Sequence, residues 1–245
     1  LTIFVFPDKE SLSKGAAERF VSSAREAIAR SGQFTVALSG GHTPARGFQL
    51  LAEEPYVGQI DWSRVHIFWG DDRNVPGDDK DSNERMARDA FLNSVPIPAA
   101  QIFPMYNGEN NVEAAASYQR LLQGYFPPEG PTFDLVLLGV GPDGHTASLF
   151  PDDHNEDSSD WVIPAFTDVF SVRDRITLTY KAISLASAVV FEIEGEDKAT
   201  VLKEIIEDFA DYPAGVVAHN SKDVTWLLDS AAASQLSSAN FTLVK

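Results

Sequence analysis

The residues best equipped for chemistry fall in one stretch, Gly139-Val140-Gly141-Pro142-Asp143-Gly144-His145-Thr146-Ala147-Ser148-Leu149-Phe150-Pro151. An imidazole titrates close to neutral pH, so His145 is suited to act as a general base. Asp143, two residues earlier, can fix its tautomer if the carboxylate reaches the ring. Glycines and a proline ahead of the histidine dictate an unusual backbone. Gly141 and Gly144 can turn, or approach a ligand, where a side chain would not fit. The same glycines satisfy the Gly-x-Gly-x-x-Gly spacing of dinucleotide sites. Pro142 sits inside that turn, however, and an acidic run from Asp152 to Asp160 stands where a strand is required, so no nucleotide cofactor is expected.

Two further loops carry chemical content. Ser39-Gly40-Gly41-His42-Thr43-Pro44 follows an apolar run. Thr43 before Pro44 predicts an N-cap followed by a first helical residue, hence a strand, a glycine turn and a helix start. Free N–H groups there favour an anion such as phosphate, which makes Ser39, Gly40, Gly41 and Thr43 candidate substrate contacts. A Walker motif is excluded because the Gly-Lys-Ser/Thr ending is missing. The other loop is Gly70-Asp71-Asp72-Arg73-Asn74-Val75-Pro76. An arginine between carboxylates can be held and offered to phosphate, with Asp71 touching sugar hydroxyls or holding Arg73. A calcium loop starting at Asp79 fails, since Glu84 and Ala90 occupy the positions that need glycine and a bidentate glutamate.

Among the other histidines, His66 is expected to be a packed strand residue and His42 a turn residue. His154 lies in a solvated acidic loop, and His219 has no evident partner. No ligand spacing suggests a metal, and without cysteine there is neither a thiolate site nor a cysteine nucleophile.

These loops need elements to position them. Apolar runs rich in β-branched and aromatic residues recur at 34–38, 65–69, 133–140, 176–179, 189–193, 215–218 and 224–228, several of them apolar on both faces, as strands covered on two sides are. Between them, a three-four spacing of Ala17, Phe20, Val21, Ala24 and Ile28 predicts a helix over 9–31. Val201 to Phe209 predicts another, with candidates at 82–92 and 112–122. The alternation predicts an α/β fold: a three-layer α/β/α arrangement with a mainly parallel, Rossmann-like sheet, formed as a single domain over residues 1–245. In such sheets ligands bind beyond the C-terminal strand ends, where all three loops fall.

The formal net charge of -17 argues against nucleic acid or an anionic membrane as partner. It also means that an anionic substrate requires locally concentrated Arg, Lys and backbone N–H groups. The opening LTIFVFPDKE does not read as a signal peptide, although the chain begins on Leu and an earlier segment can be missing; no apolar run is long enough for a membrane helix. A cytoplasmic location is expected, the sequon at Asn240 is read as chance, and a monomer is compatible with everything seen.

Together the segments SGGHTP, DDRNVP with SNERMAR, and GVGPDGHTASLFP, followed by RITLTY, GEDKATVLKEI, YPAG and VTWLLDSAAA, resemble the 6-phosphogluconolactonase family, within the larger group that includes glucosamine-6-phosphate deaminases. Asp71-Asp72-Arg73 and the continuation Thr146 to Pro151 favour the lactonase branch. The resemblance implies metal-free hydrolysis of 6-phospho-D-glucono-1,5-lactone to 6-phosphogluconate, the second step of the oxidative pentose phosphate pathway. It also implies His145 as base, Asp143 as its orienting partner, and Arg73 and Lys198 as phosphate cations, assisted by the first loop. Arg46 is a further cation near that loop. Where the family commonly has Leu-Pro and then Asn after RITLT, this chain has Tyr180-Lys181-Ala182-Ile183-Ser184, so its sugar contacts must differ there. A deaminase or isomerase, and a sugar-phosphate sensor without catalysis, are the rival readings.

Overall fold

The computed structural model describes residues 2–153 and 155–244. In chain order the elements are β1 (Thr2–Phe6), α1 (Lys9–Ser31), β2 (Phe34–Leu38), α2 (Thr43–Leu51), β3 (Val65–Trp69), β4 (Asp71–Arg73), α3 (Asn83–Ala87), α4 (Asn111–Tyr125) and β5 (Leu135–Leu138). Then follow β6 (Val162–Phe166), β7 (Asp174–Leu178), α5 (Tyr180–Ser184), β8 (Val189–Ile193), α6 (Ala199–Ile206), α7 (Pro213–Asn220), β9 (Val224–Asp229) and β10 (Thr242–Leu243).

Seven strands form one parallel sheet in the order β10-β1-β9-β8-β5-β2-β3. Strands β2, β5, β8 and β9 are buried along their whole length, as strands covered on both faces must be. Helix α1 covers the expected 9–31 span. Asp8 caps its start, and Gly32 closes it at φ 82°, a left-handed position that glycine adopts without steric penalty. Aromatic side chains fill the two faces: Phe20 meets Phe34 edge-on at 5.3 Å, and Phe191 stacks on Trp226 at 4.1 Å.

A separate three-stranded antiparallel sheet, β4-β7-β6, stands beyond the C-terminal end of β3. The run at 176–179 belongs to this small sheet, and Thr179 leaves the strand to cap α5. Residues 215–218, expected as a strand, lie inside α7. A short run buried on all sides has no telling period, and Pro213 at the first helical turn decides the matter. Thr43 is the first residue of α2; its predecessor is His42, and no side chain caps that start. Helix α6 ends at Ile206, short of Phe209, which takes φ 56° and is exposed. The segment 82–92 starts as α3, capped by Ser82, and continues as a wider π turn over Arg88–Leu92. His154 lies outside the described residues.

Candidate active site

The sheet order places β8, β5, β2 and β3 side by side. The chain segments that follow them all reach one edge, where they enclose a cavity of about 470 Å³. Ser39, Gly40, Gly41, Thr43, Asp71, Arg73, Gly141, His145 and Lys198 all line it. Asp143 and Gly144 do not line it.

The β5 loop is locked from several sides. The Gly141 N–H donates to the His145 carbonyl at 2.8 Å, and the Thr146 hydroxyl donates to the Gly139 carbonyl at 2.8 Å. A Cβ at Gly141 would collide with the His145 ring and the Asp143 carboxylate. Gly144, at φ 80°, turns the chain and packs against Tyr212, its carbonyl accepting from the Ala214 N–H at 3.1 Å. The Ser148 hydroxyl donates to Asp71 Oδ2 at 2.6 Å, joining this loop to β4. The result is a close dyad. His145 Nδ1–H donates to Asp143 Oδ1 at 2.5 Å, and the backbone N–H of His145 donates to the same oxygen at 3.2 Å. With Nδ1 engaged, Nε2 keeps a lone pair for a proton. Burial acts to raise the Asp143 carboxyl, but hydrogen bonds from His145 and the imidazole charge outweigh it, leaving Asp143 below its ordinary range. Phe150 and Phe170 flank the imidazole at 5.1 and 5.7 Å.

The second wall is cationic. Arg73 and Arg175 are direct cross-strand partners on β4 and β7, on one face of the small sheet. Like charges placed opposite each other are destabilising unless an anion joins them. Arg73 donates through Nη1 to the Asp81 carbonyl at 2.5 Å, and its Nε is buried without a hydrogen-bond partner among the described residues. Arg175 is buried, donates through Nε to the Val172 carbonyl, and lies 5.2 Å over the Phe170 ring. Burial lowers its guanidinium from the usual range, and Arg73 adds to that. Among the described residues neither arginine forms an ion pair. Lys198 ends a short turn before α6 and pairs with Asp197; Lys9 pairs with Glu194 at 3.2 Å. Gly41 takes φ 91°, and Gly40 lies so close to Asn83 that no Cβ would fit between them.

Asp71 is buried and held by Ser148 rather than by Arg73. Its neighbour Asp72 accepts from the N–H groups of Arg73, Asn83 and Glu84. Burial nevertheless pushes it up to about 7, with Asp71 contributing in the same direction. Arg46 turns away to Glu10 and Glu53. His66 packs between Phe103 and Tyr125, burial lowering its imidazole, and His219 stacks on Phe209. The residues 180–184 form α5 and do not line the cavity. Sequence reasoning passed over Arg175, Asn83, Phe170, Lys9 and Glu192, which do. Arg175 stood in the quoted RITLTY segment, but only the β4–β7 register shows that it faces Arg73. Among the described residues, no group of His, Asp and Glu side chains converges as a metal site.

A parallel α/β sheet whose C-terminal edge carries a His–Asp dyad, a glycine turn at a helix start and unpaired arginines is a scaffold for small anionic substrates. The family model described as glucosamine-6-phosphate isomerases/6-phosphogluconolactonase matches residues 7–226, and the chain belongs to that family. A 6-phosphogluconolactonase of Nostoc sp. is 38% identical, over 96% of this chain and 98% of the relative. One of Mycobacterium leprae is 37% identical, over 96% and 98%. The structure of 6-phosphogluconolactonase from Trypanosoma brucei superposes with a TM-score of 0.87 at 29% identity, covering 96% of this chain and 98% of that one. No helix among the described residues is long and apolar enough to cross a membrane.

Proposed function

We propose that this chain is a lactonase that hydrolyses 6-phospho-D-glucono-1,5-lactone to 6-phosphogluconate, the second step of the oxidative pentose phosphate pathway, and that it works as one domain. The observation that carries this reading is the convergence of the His145–Asp143 dyad and the unpaired Arg73–Arg175 pair on one cavity. His145 Nε2 takes a proton from water, which attacks the lactone carbonyl, while Asp143 holds the ring and stabilises the imidazolium. The N–H groups of Gly141, Gly144 and His145 are engaged within the β5 loop, so the tetrahedral oxyanion draws on other N–H groups of that loop. The protonated His145 then gives its proton to the departing ring oxygen. Arg73, Arg175 and Lys198, with the turn of Ser39, Gly40, Gly41 and Thr43, grip the phosphoryl group, and Asp71 accepts from a sugar hydroxyl. A lactone has a tolerable leaving group, so neither metal nor covalent intermediate is needed. Freshly made phosphogluconolactone, with acid release followed and the spontaneous rate subtracted, tests the reading. Binding of 6-phosphogluconate without turnover, or ammonia release from glucosamine 6-phosphate instead, would overturn it.

A further inference from the structure

Glu192 is a charged residue type in a place that ought to exclude charge. It lies on β8, the strand whose C-terminal end leads into the Lys198 turn, and it is 5% exposed. Alternation along the strand puts it on the same face as Val190, under α1 and α2. Beneath it is an apolar gap of about 10 Å³, walled by Ala16, Phe20, Phe48 and Leu137 among others. Its Oε1 has no hydrogen-bond partner among the described residues. An unpaired buried polar group is costly and uncommon in native proteins, and calls for an explanation.

The position supplies one. Glu192 borders the large cavity as well as the small gap. Its Oε1 lies 3.9 Å from where a Cβ on Gly47 would stand, and Gly47 itself is about one turn (~5.4 Å) along α2 from the free N–H groups at that helix's start. We propose that Glu192 is a specificity-determining residue that, as a neutral carboxylic acid, donates a hydrogen bond to the phosphoryl group held at the start of α2. The inference rests on the sugar-phosphate reading of the cavity.

Burial, with Glu194 contributing, raises the Glu192 carboxyl well above the ordinary range, which favours the protonated donor. The charged groups around it are otherwise occupied. Glu194 pairs with Lys9, Asp197 pairs with Lys198, and Arg46 on α2 points to Glu10 and Glu53. Asp229 on β9 accepts from the N–H groups of Gly195 and Ala232. The facing residues of α1 and α2, Ala16, Ala17, Gly47 and Phe48, are uncharged. An ionised Glu192 would place negative charge beside a dianion, so affinity falls when it loses its proton.

Two variants separate this role from a structural one. Glu192→Met removes the donor and the buried carboxyl together. It should fold with an unfolding midpoint at or above the parent's at neutral pH, yet bind 6-phosphogluconate and inorganic phosphate about tenfold or more weakly by calorimetry. Glu192→Gln keeps a donor that does not ionise. It should match the parent at acidic pH and bind increasingly better than the parent as pH rises, because only the parent loses its donor. Unchanged phosphate affinity in Glu192→Met, together with parallel pH profiles for the parent and Glu192→Gln, would overturn the proposal. Inorganic phosphate reads the donor without the sugar. Phosphate binding that responds to Glu192 while fresh lactone is not hydrolysed would sink the lactonase reading and leave this one standing.

Discussion

The glycine turns after β5 and β2 look alike in sequence and do opposite work. The β5 turn is closed on itself: Gly141 has no room for a Cβ because the His145 ring and Asp143 fill that space, and loop hydrogen bonds fix the histidine from both sides. The β2 turn is open on the side that faces the cavity. Gly41, at φ 91°, faces cavity space with nothing within 4 Å of a Cβ there, and α2 begins two residues later with no side-chain cap. One turn spends its glycines on locking a side chain; the other exposes backbone donors. Proton transfer demands a base held in a narrow range of positions, whereas an anion is satisfied by several donors of modest directionality.

The largest effect that sharpens this contrast comes from His145→Ala. It should lower kcat by roughly two to four orders of magnitude, with the unfolding midpoint little changed. Near-normal turnover would remove the histidine from its role. A smaller effect compares the two turns directly. Gly141→Ala must displace the imidazole and should cut kcat by about a hundredfold. Gly41→Ala projects its methyl into ligand space and should raise KM while leaving kcat nearly intact. Steady-state kinetics showing both variants failing in the same parameter would break the distinction. The smallest effect is on stability. Asp143 is held below its ordinary range, so its contribution is present above the unfolded value of about 3.9 and is lost as pH falls through the lower folded value. The parent should therefore outlast Asp143→Asn at neutral pH, and thermal melts should converge in strong acid. A gap that widens on acidification would show that the carboxylate is not stabilised by His145.

Much of this was legible in the chain. The 9–31 helix follows from apolar spacing on one face. The major strands follow from runs apolar on both sides, and the three loops from glycines at strand ends. Strands β1, β4, β6 and β10 were not among the expected runs: the last three are edge strands only partly buried, and local pattern carries little signal there. The helix over Pro213–Asn220 shows no helical period because residues 213–218 are apolar throughout.

By itself the sequence determined which residue types suited to proton transfer and anion binding lie in the loops, and most of the alternation of long helices and major strands, because those depend on residue chemistry and near-neighbour spacing. Only the tertiary structure decided that Asp143 reaches His145, that Ser148 rather than Arg73 holds Asp71, that Arg175 opposes Arg73, and that Glu192 lies unpaired at the cavity. The first is set by the folding of one loop; the others bring together segments far apart in the chain, and strand register and sheet order are set by the packing of the whole sheet rather than by any local segment.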